Sequence, residues 1–184
     1  EALKGLAGTN VPLDIGILCE LLRDADISIQ SQAIDAIVQR QDPQTVDYLL
    51  VLLEDEEEYV RRAAVEVLNA IADTEAIKDL LVAIKDKDWW VRERAADALI
   101  KIGGPKVVDA MLALIQDEDQ FVRRTAIEVI NAHRDERAFD YLVQALQDPD
   151  WWVRERAMDA LGTLGDERAI SPLLELLDSE PSSR

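Results

Sequence analysis

The sequence predicts an all-α fold, a right-handed α-solenoid of stacked helical hairpins, and three observations lead to it. Apolar residues recur with a period of 31 residues, anchored at Ile29, Val60, Val91, Val122 and Val153. Within each copy the residues 0, +4, +7, +8 and +11 from the anchor are mostly apolar, the stripe of a helix with 3.6 residues per turn. No stretch alternates with the period of two that a half-buried strand requires.

Each copy contains two helical segments. The second, helix B, starts near the anchor and carries Ala33, Ala64, Ala95, Ala126 and Ala157 at +4, with Ile37, Leu68, Leu99, Ile130 and Leu161 at +8. The first, helix A, lies in the apolar-periodic stretches 11–22, 45–53, 76–84, 107–115, 138–146 and 169–177. A short acidic turn joins A to B. Asp26, Asp88, Asp119 and Asp150 stand three residues before their anchors, where a carboxylate caps the free N–H groups of a first helical turn. Gly103, Gly104 and Gly165 are expected to close B helices as C-terminal caps. One such hairpin cannot bury both its apolar faces alone, so neighbours must stack into a continuous core. Residues 1–184 are therefore expected to form a single repeat domain. "EALKGLAG" at the start resembles the end of a B helix without its A partner, and the last A helix has no B helix after it. With no initiating methionine, the chain is expected to be a fragment of a longer one.

The repeat has a second, longer period. "WWVRERAADAL" from Trp89 returns as "WWVRERAMDAL" from Trp151, whereas the intervening copies read "YVRRAAVEVLNA" and "FVRRTAIEVINA". The duplicated unit is thus a pair of hairpins, 62 residues long.

The pattern D-x-x-V-R-x-x-A-x-x-A-L-x-x-I/L-G resembles the short HEAT-like repeats of bacteria and archaea and of the phycobilisome lyase family. That resemblance implies a solenoid used as an interaction surface, with its B helices lining a concave groove. It also implies that Arg61, Arg92, Arg123 and Arg154, one residue after their anchors, pair with turn aspartates and tie neighbouring units together. Bilin lyases use the same repeat, which gives an alternative reading: a subunit or relative of a lyase acting on a tetrapyrrole-bearing protein. The HEAT-like iron hydroxylases use His-Glu pairs, which are absent from this chain, and the HEAT-like DNA glycosylases present a basic groove, opposite to this charge.

At about 100° per residue, the direction facing away from the core of helix B falls near offsets −1 and +6. Offset −1 is Ser28 and then Tyr59, Trp90, Phe121 and Trp152, while +6 is Asp35, Glu66, Asp97, Glu128 and Asp159. Trp89 and Trp151 add a second ring at −2. Solvent-facing tryptophans mark contact surfaces, and carboxylates beside aromatic rings suit Lys or Arg. The expected partner site is therefore Tyr59, Trp89, Trp90, Phe121, Trp151 and Trp152, flanked by Glu66, Asp97, Glu128 and Asp159. A solvated acidic face with rings that merely cover the repeat turns is the structural alternative.

Composition narrows the function further. There are 38 acidic against 20 basic residues, a net charge of −18, which disfavours nucleic acid and anionic lipid as partners. The one cysteine, Cys19, rules out a disulfide framework and fits a reducing, cytoplasmic setting. No apolar stretch approaches the roughly 20 residues of a membrane span, and no leader pattern opens the chain. His133 is the only histidine, so a zinc or iron site is not expected. Gly103-Gly104-Pro105 lacks the context of a phosphate loop. No catalytic residue, metal or cofactor is assigned, and the expected function is that of a monomeric, non-enzymatic protein- or peptide-binding scaffold.

Overall fold

The structure, a computed structural model, describes residues 14–179. The initial "EALKGLAG" lies outside these residues. Two compact units divide the chain, residues 1–102 and 103–184. The described part of the first holds α1 (Ile15–Glu20), α2 (Ile27–Arg40), α3 (Thr45–Leu53), α4 (Glu58–Ile71), α5 (Ile77–Ala83) and α6 (Trp89–Ile102). The second holds α7 (Gly104–Leu114), α8 (Gln120–His133), α9 (Phe139–Ala145), α10 (Trp151–Leu164) and α11 (Ile170–Ser179). No strand occurs among the described residues, and the fold is an all-α solenoid of helical hairpins.

Shorter A helices of 6 to 11 residues alternate with B helices of 14. In the first unit α2, α4 and α6 are the B helices and pack side by side, each backed by its A partner; in the second α8 packs on α10 in the same way. The anchors Val60, Val91, Val122 and Val153 are buried, and all five +4 alanines and +8 Ile or Leu residues are completely buried or nearly so. Ile29, the first anchor, is only half-buried. A methyl group at +4 leaves room for close approach of packed helices, and the branched +8 side chain fills the space beside it. The A helices complete the core with Leu18, Leu49, Leu80, Met111 and Leu142.

The turns obey one set of hydrogen bonds. The A-to-B turn opens on an aspartate five residues before the anchor, whose Oδ1 accepts from the backbone N–H two residues later: Asp24 to Asp26, Asp55 to Glu57, Asp86 to Asp88, Asp117 to Asp119 and Asp148 to Asp150, at 2.7–3.0 Å. The predicted N-caps then act as expected. Asp26, Asp88 and Asp119 accept from Ser28, Trp90 and Phe121 at 2.8 Å, and Asp150 from Val153 at 3.1 Å. Glu57 occupies the same place in the second copy, and its longer side chain makes no cap bond.

The B-to-A corner relies on positive φ. Gln41, Ala72, Gly103, Arg134 and Gly165, all twelve residues after an anchor, have φ of 50°, 51°, 59°, 49° and 67°. Gly165 and Gly103 thus act at the corner as predicted, but Gly104 does not belong to the cap. It opens α7 at φ 81°, with Pro105 in the first turn, where no N–H is needed for a helical bond. After the corner, Asp73, Asp135 and Asp166 cap single 3-10 turns that lead into the next A helix.

Arginines one residue after the anchor join the hairpins. Each of Arg61, Arg92, Arg123 and Arg154 donates Nη1 to two carbonyl oxygens of its own A-to-B turn, at 2.8–3.3 Å. Arg61 and Arg123 also reach forward to the next turn with a two-pronged contact. In the first unit Arg61 Nε lies 2.8 Å from Asp86 Oδ2 and Nη2 3.2 Å from Oδ1. In the second, Arg123 Nε and Nη2 lie 2.7 and 2.8 Å from the two oxygens of Asp148. One guanidinium thereby ties two turns, the joint role implied by the repeat resemblance. The first copy has Gln30 in this position; its amide donates to Leu22 O and Tyr59 O, while Arg23 forms an ion pair with Asp55.

Ala72 sits in the left-handed region, where a side chain is disfavoured by about 1 kcal/mol or more. Ala72→Gly is expected to stabilise the chain by about 0.5–1 kcal/mol in urea unfolding, because glycine's greater unfolded-state entropy offsets part of that relief. Cys19 is buried, and that burial, aided by nearby Glu20 and Asp42, pushes its thiol up to about 11. Thiol-specific disulfide reagents should therefore label Cys19 only after denaturant unfolds the chain. Burial alone would raise the Asp148 carboxyl, but the Arg123 guanidinium and the Asp150 N–H outweigh it and hold it below the usual carboxylate range. The stabilisation this gives is complete above the unfolded value of about 3.9 and is lost as pH falls through the lower folded value. Asp148→Asn should cost about 2 kcal/mol at pH 7, with the gap to the parent chain closing below about pH 4; urea midpoints at pH 7, 5 and 3 measure it.

Candidate functional site

The same helix N-termini that carry the caps also present the rings. Where an aspartate caps the B helix, it fixes the first turn, and the residue before the anchor projects from a defined position on it. In the first unit Tyr59 and Trp90 are half-buried and Trp89 is 62% exposed. Tyr59 leans back on the preceding turn, its hydroxyl donating to Arg23 O at 3.4 Å. In the second unit Phe121, Trp151 and Trp152 are all exposed, at 43%, 52% and 41%. The two tryptophan rings lie 3.9 Å apart between centroids, tilted by 30°.

The +6 carboxylates lie away from the core as expected. Glu66 and Asp97 are partly exposed, and Asp35, Glu128 and Asp159 are exposed. They are not equivalent, however. Asp97 Oδ2 lies 3.2 Å from Arg94 Nη1, and Asp159 Oδ2 lies 3.8 Å from Arg156 Nη1, both pairs spaced i,i+3 on one helix. Glu66 and Glu128 form no ion pair among the described residues. One oxygen of Glu66 is buried without a hydrogen-bond partner.

Arginines on this face add an element beyond the rings and carboxylates. Arg94 lies over Trp90, 5.4 Å from the ring centroid. Arg124 lies 5.7 Å from the Phe121 centroid and 6.0 Å from that of Trp152. Their spacing was legible: Arg94 follows Trp90 by four residues and Arg124 follows Phe121 by three, the separations that bring side chains together on a helix. Arg62, related to Arg124 by the 62-residue duplication, does something else. Its Nε and Nη2 donate to Asp88 Oδ2 at 2.9 and 2.6 Å, so one carboxylate both caps α6 and binds the neighbouring helix. Burial would raise Asp88, but Arg62 and the N–H groups of Trp90 and Val91 hold it below the usual range.

Outside this face, the second unit has an open cleft of about 380 Å³ lined by Ile115, Tyr141, Gln144 and Pro149 beside Arg123 and Asp148. Its charged wall consists of the joint described above. His133 ends α8, half-buried, its Nε2 without a hydrogen-bond partner. No group of three or more His, Cys, Asp or Glu side chains able to hold a metal ion occurs among the described residues. No described helix is long and apolar enough to cross a membrane.

Comparison with known proteins places this architecture. Among solved structures, the Escherichia coli protein YibA matches over 91% of this chain with 25% identity and a TM-score of 0.57. This chain spans 63% of the length of that protein. The CpcE–CpcF complex of phycocyanin lyase from Nostoc matches over 95% of this chain and 74% of its own, with 21% identity and a TM-score of 0.57, a likeness of fold. An engineered protein matches over 91% of this chain and 88% of its own, with 21% identity and a TM-score of 0.51. No curated protein sequence matches. The family model for HEAT repeats matches residues 14–81, 53–131 and 110–184. With nearly its whole length covered by these matches, the chain belongs to the HEAT-repeat family.

Proposed function

We propose that the chain is a non-enzymatic interaction module whose B-helix face captures a protein or peptide segment bearing Lys or Arg. The observation that carries this reading is the exposure of Trp89, Phe121, Trp151 and Trp152 on helices whose remaining large apolar side chains are mostly buried. Exposed rings grouped in this way cost solubility and supply flat contact area with little side-chain entropy to lose. A net charge of −18 and the unpaired Glu66 and Glu128 favour a basic segment over an acidic one. Membership of a helical repeat family, whose stacked helices form extended surfaces, supports the scaffold role. The partner residues are Tyr59, Trp89, Trp90, Phe121, Trp151 and Trp152, with Glu66, Asp97, Glu128 and Asp159 beside them.

Replacing both Trp90 and Trp152 by Ala is expected to weaken binding of a labelled Lys/Arg-rich peptide by at least about tenfold, with helicity by circular dichroism little changed. Equal affinity of the parent and the double variant would refute the assignment.

A further inference from the structure

In the second unit an arginine of the chain itself lies over the exposed rings. Arg124 lies within cation-π reach of both Phe121 and Trp152, and it forms no ion pair among the described residues. In a chain with 38 acidic residues this is unexpected, the more so because its counterpart Arg62 binds Asp88 through two nitrogens. Carboxylates are near in sequence on the same helix: Glu128 follows Arg124 by four residues, a spacing that commonly yields an ion pair. The guanidinium nonetheless rests against the rings.

We infer that Arg124 is an internal placeholder in the Phe121–Trp152 clamp, displaced when a guanidinium from a basic peptide partner takes its position. The inference rests on the proposed function and adds a regulatory residue to it. Charge complementarity selects the occupant. On the same two helices Glu128 and Asp159 at +6 are exposed, and Asp159 is engaged by Arg156 at 3.8 Å. An incoming guanidinium would meet the Phe121 and Trp152 rings, and Glu128, two helical turns from Phe121 on the same helix, adds negative charge on that side. Arg124, once released, has Glu128 within the span of one helical turn, so its charge is met in the displaced state as well. Arginine suits the position better than lysine, because a planar guanidinium stacks on aromatic faces and is less strongly hydrated. Nothing equivalent holds Trp90 in the first unit, where Arg94 is paired to Asp97 while it covers the ring. Clamp release is therefore confined to the second unit.

The test uses the full chain and a fluorescein-labelled octa-arginine peptide, with binding followed by anisotropy at about 0.15 M salt. Arg124→Met keeps the apolar stem and removes the cation. It is expected to bind the peptide about 5-fold more tightly than the parent chain. Lys106→Met removes one positive charge from an exposed site on helix α7 and controls for the change in net charge; its affinity should rise by less than twofold. Arg124→Met combined with Trp152→Ala should lose the gain. If Arg124→Met binds no more tightly than Lys106→Met, while the parent still binds through Trp152, the placeholder role is overturned and the binding face stands. If neither the parent nor Arg124→Met binds the peptide, both the placeholder and the basic-peptide reading fail. Circular dichroism of each variant, and Arg124→Gln as a second replacement, separates loss of binding from loss of fold.

Discussion

The guanidinium at the joint is the interaction on which the repeat depends. A helical hairpin of this size has too little apolar surface to be stable alone, so neighbouring hairpins must be held in a fixed register. Burial of the +4 alanines and +8 branched residues supplies the driving force, but apolar contact is non-directional. Direction comes from Arg61 and Arg123, each fixing two carbonyls of its own turn and both carboxylate oxygens of the next. The matching aspartate also orders its own turn by accepting from the backbone two residues on. A single Arg–Asp pair thus couples turn geometry to helix register. Arg61 is almost fully buried, so leaving it without its partner would strand a charge in the interior.

This arrangement frees the outward face of each B helix for other uses. Because the caps and joints occupy the turn aspartates and the +1 arginines, the rings at −1 and −2 are not required for the turns themselves. Tyr59 is the partial exception, since its hydroxyl and its carbonyl both join the preceding hairpin. In the second unit the rings just before the anchors are more exposed than Tyr59 and Trp90 of the first, and there Phe121 and Trp152 both lie within reach of one arginine, with Trp151 against Trp152. The 62-residue duplication therefore produced two related faces that have diverged in how their arginines are satisfied. At Arg62 the carboxylate prevails; at Arg124 the rings do.

The charge balance has a similar logic. Many of the acidic residues are spent on structure: the −5 and −3 aspartates hold turns, and Asp135 and Asp166 bind Arg137 and Arg168 next to them, which keeps both carboxyls below their usual range. The +6 column also loses two members to Arg94 and Arg156. What remains for recognition is a small set of carboxylates beside the rings, a more selective surface than the net charge alone suggests.

Most of the fold was legible in the sequence, because a repeat samples the same physical constraint five times. The 31-residue period fixed the anchors, the alanine column, the N-caps and the all-α class. Chance similarity averages away over copies that must all bury the same positions. The corners were less legible: positive φ at Gln41, Ala72 and Arg134 carries no residue signature when glycine is absent, since the packed helices on either side impose it. The candidate face was half legible. Helical geometry alone assigned rings and carboxylates to the outward side, but the next helix offers an aspartate and a tryptophan in both copies, Asp88 with Trp90 and Asp150 with Trp152, so which of them an arginine meets depends on how its side chain is turned in the packed structure. Arg62 and Arg124 stand at equivalent positions in near-identical segments, and only the tertiary structure decided that one is bound by Asp88 and the other by Phe121 and Trp152.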